Sequence, residues 1–400
     1  MKILLPVILI ICGLFTAVDP VFAQTWTQTS APSNHWASIA SSADGTKLVA
    51  VAGNYDGIGP IYTSTNSGTT WMLNNAPNMH WYSVASSADG SKLVAVVNNG
   101  GIYTSTNSGA TWTQAADAPG KLWTSVASSA DGTKLAAGNS IGTIYTSINS
   151  GINWTMAANA PSASWWGIAA SADGSKLAAA YVAPFPGKIY TSTDSGTTWA
   201  PNNVTDGWTS IASSADGNNL VAASSLRIYT STDSGASWTS NNVIVGHWWS
   251  VASSADGSKL VAAGGGPPGN GNGSDPTYGP IFSSTDFGNT WVSNSAPFTN
   301  WWSVASSADG SKLAAVVNGG GIWVSQTTPS PALNIAPASS NLALSWLVPS
   351  TNFVLQQNSD LATANWLTLT NAPMLNLTNL QDQVILSPAA GNGFFRLISQ

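Results

Sequence analysis

The chain has no glutamate, and aspartate supplies all 17 of its acids. It has only two arginines, Arg227 and Arg396, and charged residues make up 7% of its 400 positions, well under the usual quarter. Without a basic patch to neutralise phosphates, a nucleic-acid partner is excluded. Cys12 is the only cysteine, so the chain can form no internal disulfide and no thiolate metal cluster. Polarity comes instead from Ser, Thr, Asn and Gly, which favour turns and strand ends and argue against long helices.

The one long apolar run is N-terminal. Lys2 gives a positive start, Ile3 to Ala17 the apolar stretch, and Val21-Phe22-Ala23 a small-residue cleavage site before Gln24. This pattern predicts a secretory signal over residues 1–23 and a mature protein outside the cytoplasm: secreted, periplasmic or at the cell surface. The run is short for a membrane span, and Asp19-Pro20 closes it, so no span is expected after cleavage. Ile11 stands before Cys12 where a lipoprotein signal would carry a small residue.

What is present is repetition. A block typified by Trp81 to Trp112 recurs seven times. A period of about 40 residues holding several short strand patterns predicts a closed ring of small sheets, an all-β propeller of seven blades. Each block parses into four strands. The first, W-x-S-[IV]-A-S-S, starts at Trp36, Trp81, Trp123, Trp165, Trp208, Trp248 and Trp301 and ends in Ala-Asp-Gly. Asp-Gly suits a tight hairpin whose Gly takes positive φ. The second strand is the K-L-[VA]-A run and the third is typified by Gly101 to Ser105. A hairpin and a short fourth strand ending on Trp complete the block. Small residues in the first strand fit the narrow inner position of a wedge-shaped sheet.

The second hairpin carries S-x-[DN]-x-G-x-x-W. It occurs as Ser64-Asn66-Gly68-Trp71 and again from Ser105, Ser147, Ser192, Ser231 and Ser284. The Asx side chain can bond turn amides while Gly supplies the unusual backbone angle. This motif resembles the BNR or Asp-box repeat, six times in register. The resemblance implies the propeller fold and a structural role for the box. It does not fix an activity, since the family includes sialidases, other glycosidases, sortilin-type receptors and photosystem assembly factors. Sialidase chemistry would imply an arginine triad and a Tyr-Glu pair, which this chain cannot supply. An assembly factor would imply an Arg-rich face, and a sortilin-type receptor a disulfide-rich module.

Seven first strands but six boxes leave the last block one strand short. Thr25-Trp26-Thr27-Gln28 duplicates Thr111-Trp112-Thr113-Gln114, so the N-terminal strand is expected to close the ring by completing the block begun at Trp301. The domain plan is then a propeller over 24–325, a linker over 326–331 (Q-T-T-P-S-P) and a small β tail over 332–400. Short strand patterns separated by turn residues suggest an Ig- or fibronectin-like sandwich for the tail, ending in Phe394-Phe395-Arg396-Leu397.

Loops entering the first strand and loops between strands two and three share one end of such a ring, the usual ligand face. Recurrence of the first-strand Trp in every block favours packing between blades. The doubled Trp166, Trp249 and Trp302 do not recur, and alternation along a strand sends them to the other side. With Tyr82 and the preceding His35, His80 and His247, they form the candidate ligand rim for a carbohydrate or protein. No cofactor or metal site is expected: the histidines fall in blades one, two and six, and the Gly269 to Asp275 loop matches no calcium spacing. Catalysis by paired carboxylates has only Asp56, Asp117, Asp206 and Asp275 to draw on, because the other ring aspartates sit in Ala-Asp-Gly turns or boxes. The resulting expectation is an exported, monomeric, non-catalytic binding or scaffold protein, with an Asp-based glycoside hydrolase as the alternative.

Overall fold

A computed structural model describes residues 26–53, 57–241, 247–264 and 279–326. In the tail it describes 333–339, 341–347, 353–360, 363, 365–371, 373–376, 381–387 and 393–399. The expected signal segment 1–23, most of the expected linker, and the candidate catalytic Asp56 and Asp275 lie outside the described residues. The described part is all β-strand and turn.

Each repeat folds as an antiparallel meander. In the clearest copy, Trp81–Ser86 pairs with Leu93–Gly100, which pairs with Ile102–Ser105, which pairs with Thr113–Gln114. The second strand is apolar on both sides because sheets pack on both its faces: Leu48–Ala52 is buried throughout. The repeats form a β-propeller. Two contacts between neighbours extend the meanders into eight-stranded sheets, where Lys121–Ser128 meets Leu93–Gly100 and Asn34–Ser41 meets Lys312–Gly320.

One complete hydrogen-bond circuit and two partial series stitch successive repeats together. At the end of each first strand, the Ala of Ala-Asp-Gly donates its N–H to the carbonyl of the next such Ala. The path runs Ala43, Ala88, Ala130, Ala172, Ala215, Ala255, Ala308 and back to Ala43, at 2.6–2.8 Å throughout. These alanines also form one apolar cluster. Midway along, the Ser of W-x-S accepts from the next first strand, as Ser38 Oγ does from Val84 N and Ser83 Oγ from Val126 N. On the turn side, Lys47, Lys92 and Lys259 donate to the carbonyls of Asp89, Asp131 and Asp309 in the following repeat, each at 2.9 Å. Lys312 does the same from the last repeat to Asp44 of the first at 3.1 Å. The turn glycine is needed twice over. Gly90 has φ +66°, and a Cβ there would lie 2.7 Å from Lys47 Cδ.

The circle also closes on the outside. Trp26–Gln28 pairs antiparallel with Ile322–Gln326, with Trp26 opposite Ser325. Trp26 lies 6.0 Å from Trp301 at 47°. Trp112 lies 6.3 Å from Trp81 at 45°, so the N-terminal strand reproduces the geometry of an ordinary fourth strand.

The box hairpins are self-contained. Ser64 Oγ accepts from Gly68 N at 2.9 Å and donates to Asn66 Oδ1, which itself accepts from Thr70 N at 2.8 Å. Where the box residue is Asp194, it accepts from Thr198 N and Thr198 Oγ1, and these bonds hold its carboxyl below the ordinary carboxylate value. The residue before the box Gly is also left-handed, at φ 54–61° in every box, although it is Ser in five and Phe287 in the sixth.

The tail has two sheets. One contains Asn334–Ala338, Asn341–Leu347, Met374–Asn376 and Gln381–Leu386, and the other Phe353–Asn358, Leu367–Thr368 and Phe394–Ser399. Leu344, Trp346 and Val384 of the first share a core with Leu355 of the second.

Candidate functional site

Because every repeat is an antiparallel meander, the loops into strand one and the loops between strands two and three emerge at one end. The Ala-Asp-Gly turns and boxes emerge at the other. Isolated bridges between Gly59 and Met79, Gly142 and Ala163, and Gly279 and Thr299 hold the two loop sets together.

At the turn end the ring encloses a cavity of about 160 Å³ lined by the Ser-Ser-Ala residues of successive first strands. This is smaller than ordinary ligand pockets of about 300–1,000 Å³. The opposite end is therefore the better candidate, and its geometry is set by one irregularity. Every first strand carries a β-bulge one residue after its leading Trp, between Trp36 and Ser38, Trp81 and Ser83, and so on to Trp301 and Ser303. The extra residue is Ala37, Tyr82, Thr124, Trp166, Thr209, Trp249 or Trp302.

The leading Trp is a packing residue in all seven repeats. Each of the seven is 0% exposed. Trp81 packs against Val49, Val51 and Ile61 of the preceding repeat and meets Tyr103 edge-on at 5.1 Å. The bulged residue behaves differently, because a bulge re-aims a side chain out of the regular pleat. The second Trp of each pair is itself the bulged residue, and it is half-buried where the first is fully buried. Thr124 Oγ1 donates across to the Trp165 carbonyl of the next repeat. Thr209 Oγ1 does the same to the Trp248 carbonyl at 2.7 Å. The bulged side chains thus lie along the seams between neighbouring first strands.

Two of them stack. Trp249 and Trp302 lie 5.5 Å apart at an interplanar angle of 7°, and His247 extends the stack at 6.3 Å and 27° from Trp249. All three are half-buried, and Trp302 also rests against the cluster around Trp36 and Ile39. Such a ladder gives a rigid aromatic surface with little rotamer entropy left to lose.

The other rim candidates lie elsewhere on the ring. Trp166 is half-buried, two repeats before Trp249, with Nε1 donating to Ser164 Oγ at 3.1 Å. Tyr82 is half-buried at the second repeat. His35 is exposed and its Nδ1 lies 2.9 Å from Asn318 Oδ1. His80 is exposed, and its carbonyl accepts from Asn98 N. No cluster of metal-ligating side chains occurs among the described residues.

The two described spare aspartates are engaged separately. Asp117 lies on the loop into the strand Lys121–Ser128, and its Oδ2 accepts from Asn153 Nδ2 at 2.6 Å, beside a box hairpin. Asp206 ends the strand Ala200–Asp206 and accepts from Tyr229 OH at 2.8 Å. Burial, with the adjacent Asp206 charge, raises the Tyr229 phenol above its ordinary value and keeps it a neutral donor. Arg227 Nη1 lies 3.5 Å from the same hydroxyl.

No family model and no curated protein matches the chain. Solved structures do. One is titled "YCF48 bound to D1 peptide" (17% identity, TM-score 0.57), covering 77% of this chain and 97% of that one. Another is YCF48 from Cyanidioschyzon merolae (16% identity, TM-score 0.56), covering 75% of this chain and 98% of that one. At such identities the likeness is one of fold, and the fold this chain shares with them is the β-propeller.

Proposed function

We propose that this chain is an exported, seven-bladed propeller of the Asp-box type that acts as a non-catalytic binding or scaffold protein. The observation that carries the reading is the half-buried stack His247–Trp249–Trp302 on the loop-bearing end. Its two tryptophans occupy the first-strand position whose residue type varies most between repeats. The circuit of seven alanines supports the blade count, and the six self-satisfied boxes support the family reading. The tail serves as a small Ig-like packing module, joined through the linker at 326–331.

The ligand is a protein segment. A similar propeller has been solved with a peptide bound, which gives this choice its support. A carbohydrate is the second reading, favoured by the flat Trp249–Trp302 surface. Two parallel screens of the purified chain, against a peptide library and a glycan array, test both. Trp302→Ala should weaken a genuine hit about tenfold or more, because aromatic contacts dominate such sites. Hits that survive both Trp249→Ala and Trp302→Ala would place the site elsewhere and defeat the assignment.

A further inference from the structure

The seven Ala-Asp-Gly turns are alike in sequence but not in exposure. Asp89, Asp131, Asp173, Asp216 and Asp256 are exposed, Asp44 is half-buried, and Asp309 is only 7% exposed. Ser311, two residues after Asp309, is 3% exposed, whereas its counterparts in the other six repeats are half-buried or exposed. The two covered turns are neighbours where the last repeat meets the first, and there Lys312 Nζ donates to the Asp44 carbonyl. Seven copies of one turn would cover themselves equally, so the cover over these two comes from outside the repeat.

The tail meets this seam through Asp382. Asp382 lies in the strand Gln381–Leu386, two residues before the buried Val384 and opposite the buried Trp346. Alternation therefore puts it on the apolar side of its sheet. It is half-buried, accepts no hydrogen bond from the described residues, and feels the charge of Asp44. A carboxylate desolvated without donors and set beside a like charge is costly while ionised. Burial, then Asp44, raises the Asp382 carboxyl above its ordinary value. At Asp309 the extra burial outweighs the bonds from Ser311 and Ser307 and raises that carboxyl too, although equivalent bonds hold Asp89, Asp131, Asp173 and Asp216 below 3.8. The cations here are Lys312 and Lys259, which bond the carbonyls of Asp44 and Asp309. The tail holds one cation, Arg396, engaged by Trp366 and Gln356, and one further acid, the exposed Asp360.

We infer that the tail is a clasp over the seam between the last and first repeats, seated when Asp382 or Asp309 carries a proton and pushed off when both are charged alongside Asp44. A carboxyl whose value docking raises favours the docked state at low pH, and that gain is lost as pH rises through the docked value. Asp382 and Asp309 are raised above 3.8, whereas Asp44 and the four exposed turn aspartates named above lie below it. Mild acidification thus closes the clasp before the ring's own turns protonate. The covered turns lie at the end opposite the aromatic stack, so the ligand face stays open in either state.

Small-angle X-ray scattering of the full chain at about pH 7.5 and about pH 4.5 tests this. The radius of gyration and the maximum dimension should both fall on acidification. Asp382→Asn should be compact at both values, and Asp360→Asn, which removes a tail charge away from the seam, should respond as the unaltered chain does. Hydrogen exchange of the turn 308–312, read against the uncovered turn 255–259 so that intrinsic rates cancel, should slow in acid by about tenfold for each unit by which docking raises the carboxyls. Unchanged circular dichroism at both pH values provides the folding control. Equal dimensions at the two values in the unaltered chain would overturn the inference, as would an Asp382→Asn chain that responds to pH like the unaltered one. Exchange that changes equally in all seven turns would trace the response to the ring itself and likewise overturn it.

Discussion

Replacing Trp26 by Ala tests how the ring is sealed. Trp26 is buried among Val261, Ala263, Ile281 and Trp301, so it bridges the last two repeats. Truncating a buried Trp costs about 3–5 kcal/mol. Removing Trp26–Gln28 entirely also breaks their pairing with Trp323, Val324 and Ser325, at about 0.5–1.5 kcal/mol net per hydrogen bond. The ring should nevertheless stay closed. Ala308 N still donates to Ala43 O at 2.8 Å, Lys312 Nζ to Asp44 O, and Asn34 still pairs with Gly320. The loss should therefore match that of Trp112→Ala, which removes the same ring from the same geometry inside the array. Urea unfolding followed by circular dichroism would compare the two, with hydrogen exchange of Ile322–Gln326 reporting local opening. A loss below about 1 kcal/mol for Trp26→Ala would refute the sealing role. A Trp26→Ala loss far above that of Trp112→Ala would show that the inner circuits do not hold the seam.

Acid should destabilise the ring. For Asp44, Asp89, Asp131, Asp173 and Asp216, burial pushes the carboxyl up, but hydrogen bonds from the preceding Ser and following turn residues outweigh it and leave each below 3.8. A depressed folded value gives stability present above the unfolded pKa and lost as pH falls through the folded one, so the urea midpoint should drop below about pH 4. Asp382 has the opposite sign: burial first, then the charge of Asp44, raises it. Its contribution is full below the unfolded pKa and is lost as pH rises through the folded value, so Asp382→Asn should raise the midpoint of tail unfolding at pH 7 and leave it unchanged at pH 3. Phe287 holds φ +61° with a bulky side chain, a conformation that costs about 1–2 kcal/mol. Phe287→Asn should therefore raise the melting temperature, and a lowered one would mean that its ring packs usefully.

The ring was legible because its signals are local or periodic. Asp-Gly marks a hairpin within three residues, the box lies within eight, and the copy of Trp112 at Trp26 can be read by alignment of the chain with itself. The circuits were not legible. Lys47 reaches Asp89, and Ser38 reaches Val84 N, across whole repeats, so neither pairing leaves a local mark. The bulge was hidden for a different reason. An inserted residue appears only in register against the partner strand, and W-x-S looks like plain alternation without that partner. The bond between Asp117 and Asn153 was likewise not legible, because sequence spacing does not bring that loop near a box hairpin 36 residues on.

The bulge also explains where function can reside in so regular a chain. Within W-x-S-[IV]-A-S-S, the leading Trp fills the core, the Ser accepts a bond from the next repeat, and the apolar pair behind it is buried or half-buried. The leading Trp is buried in all seven repeats, and the Ser accepts a bond from the next repeat in six, with Gly167 standing in its place in the fourth. The bulged position makes no contact common to all repeats, and it alone ranges over Ala37, Tyr82, Thr124, Trp166, Thr209, Trp249 and Trp302. The period is thus kept closely at the packed positions and varies most at the residue in the bulge. Departure from the repeat, more than the repeat itself, carries the information about binding, and the adjacent pair Trp249 and Trp302 departs from it in the same way.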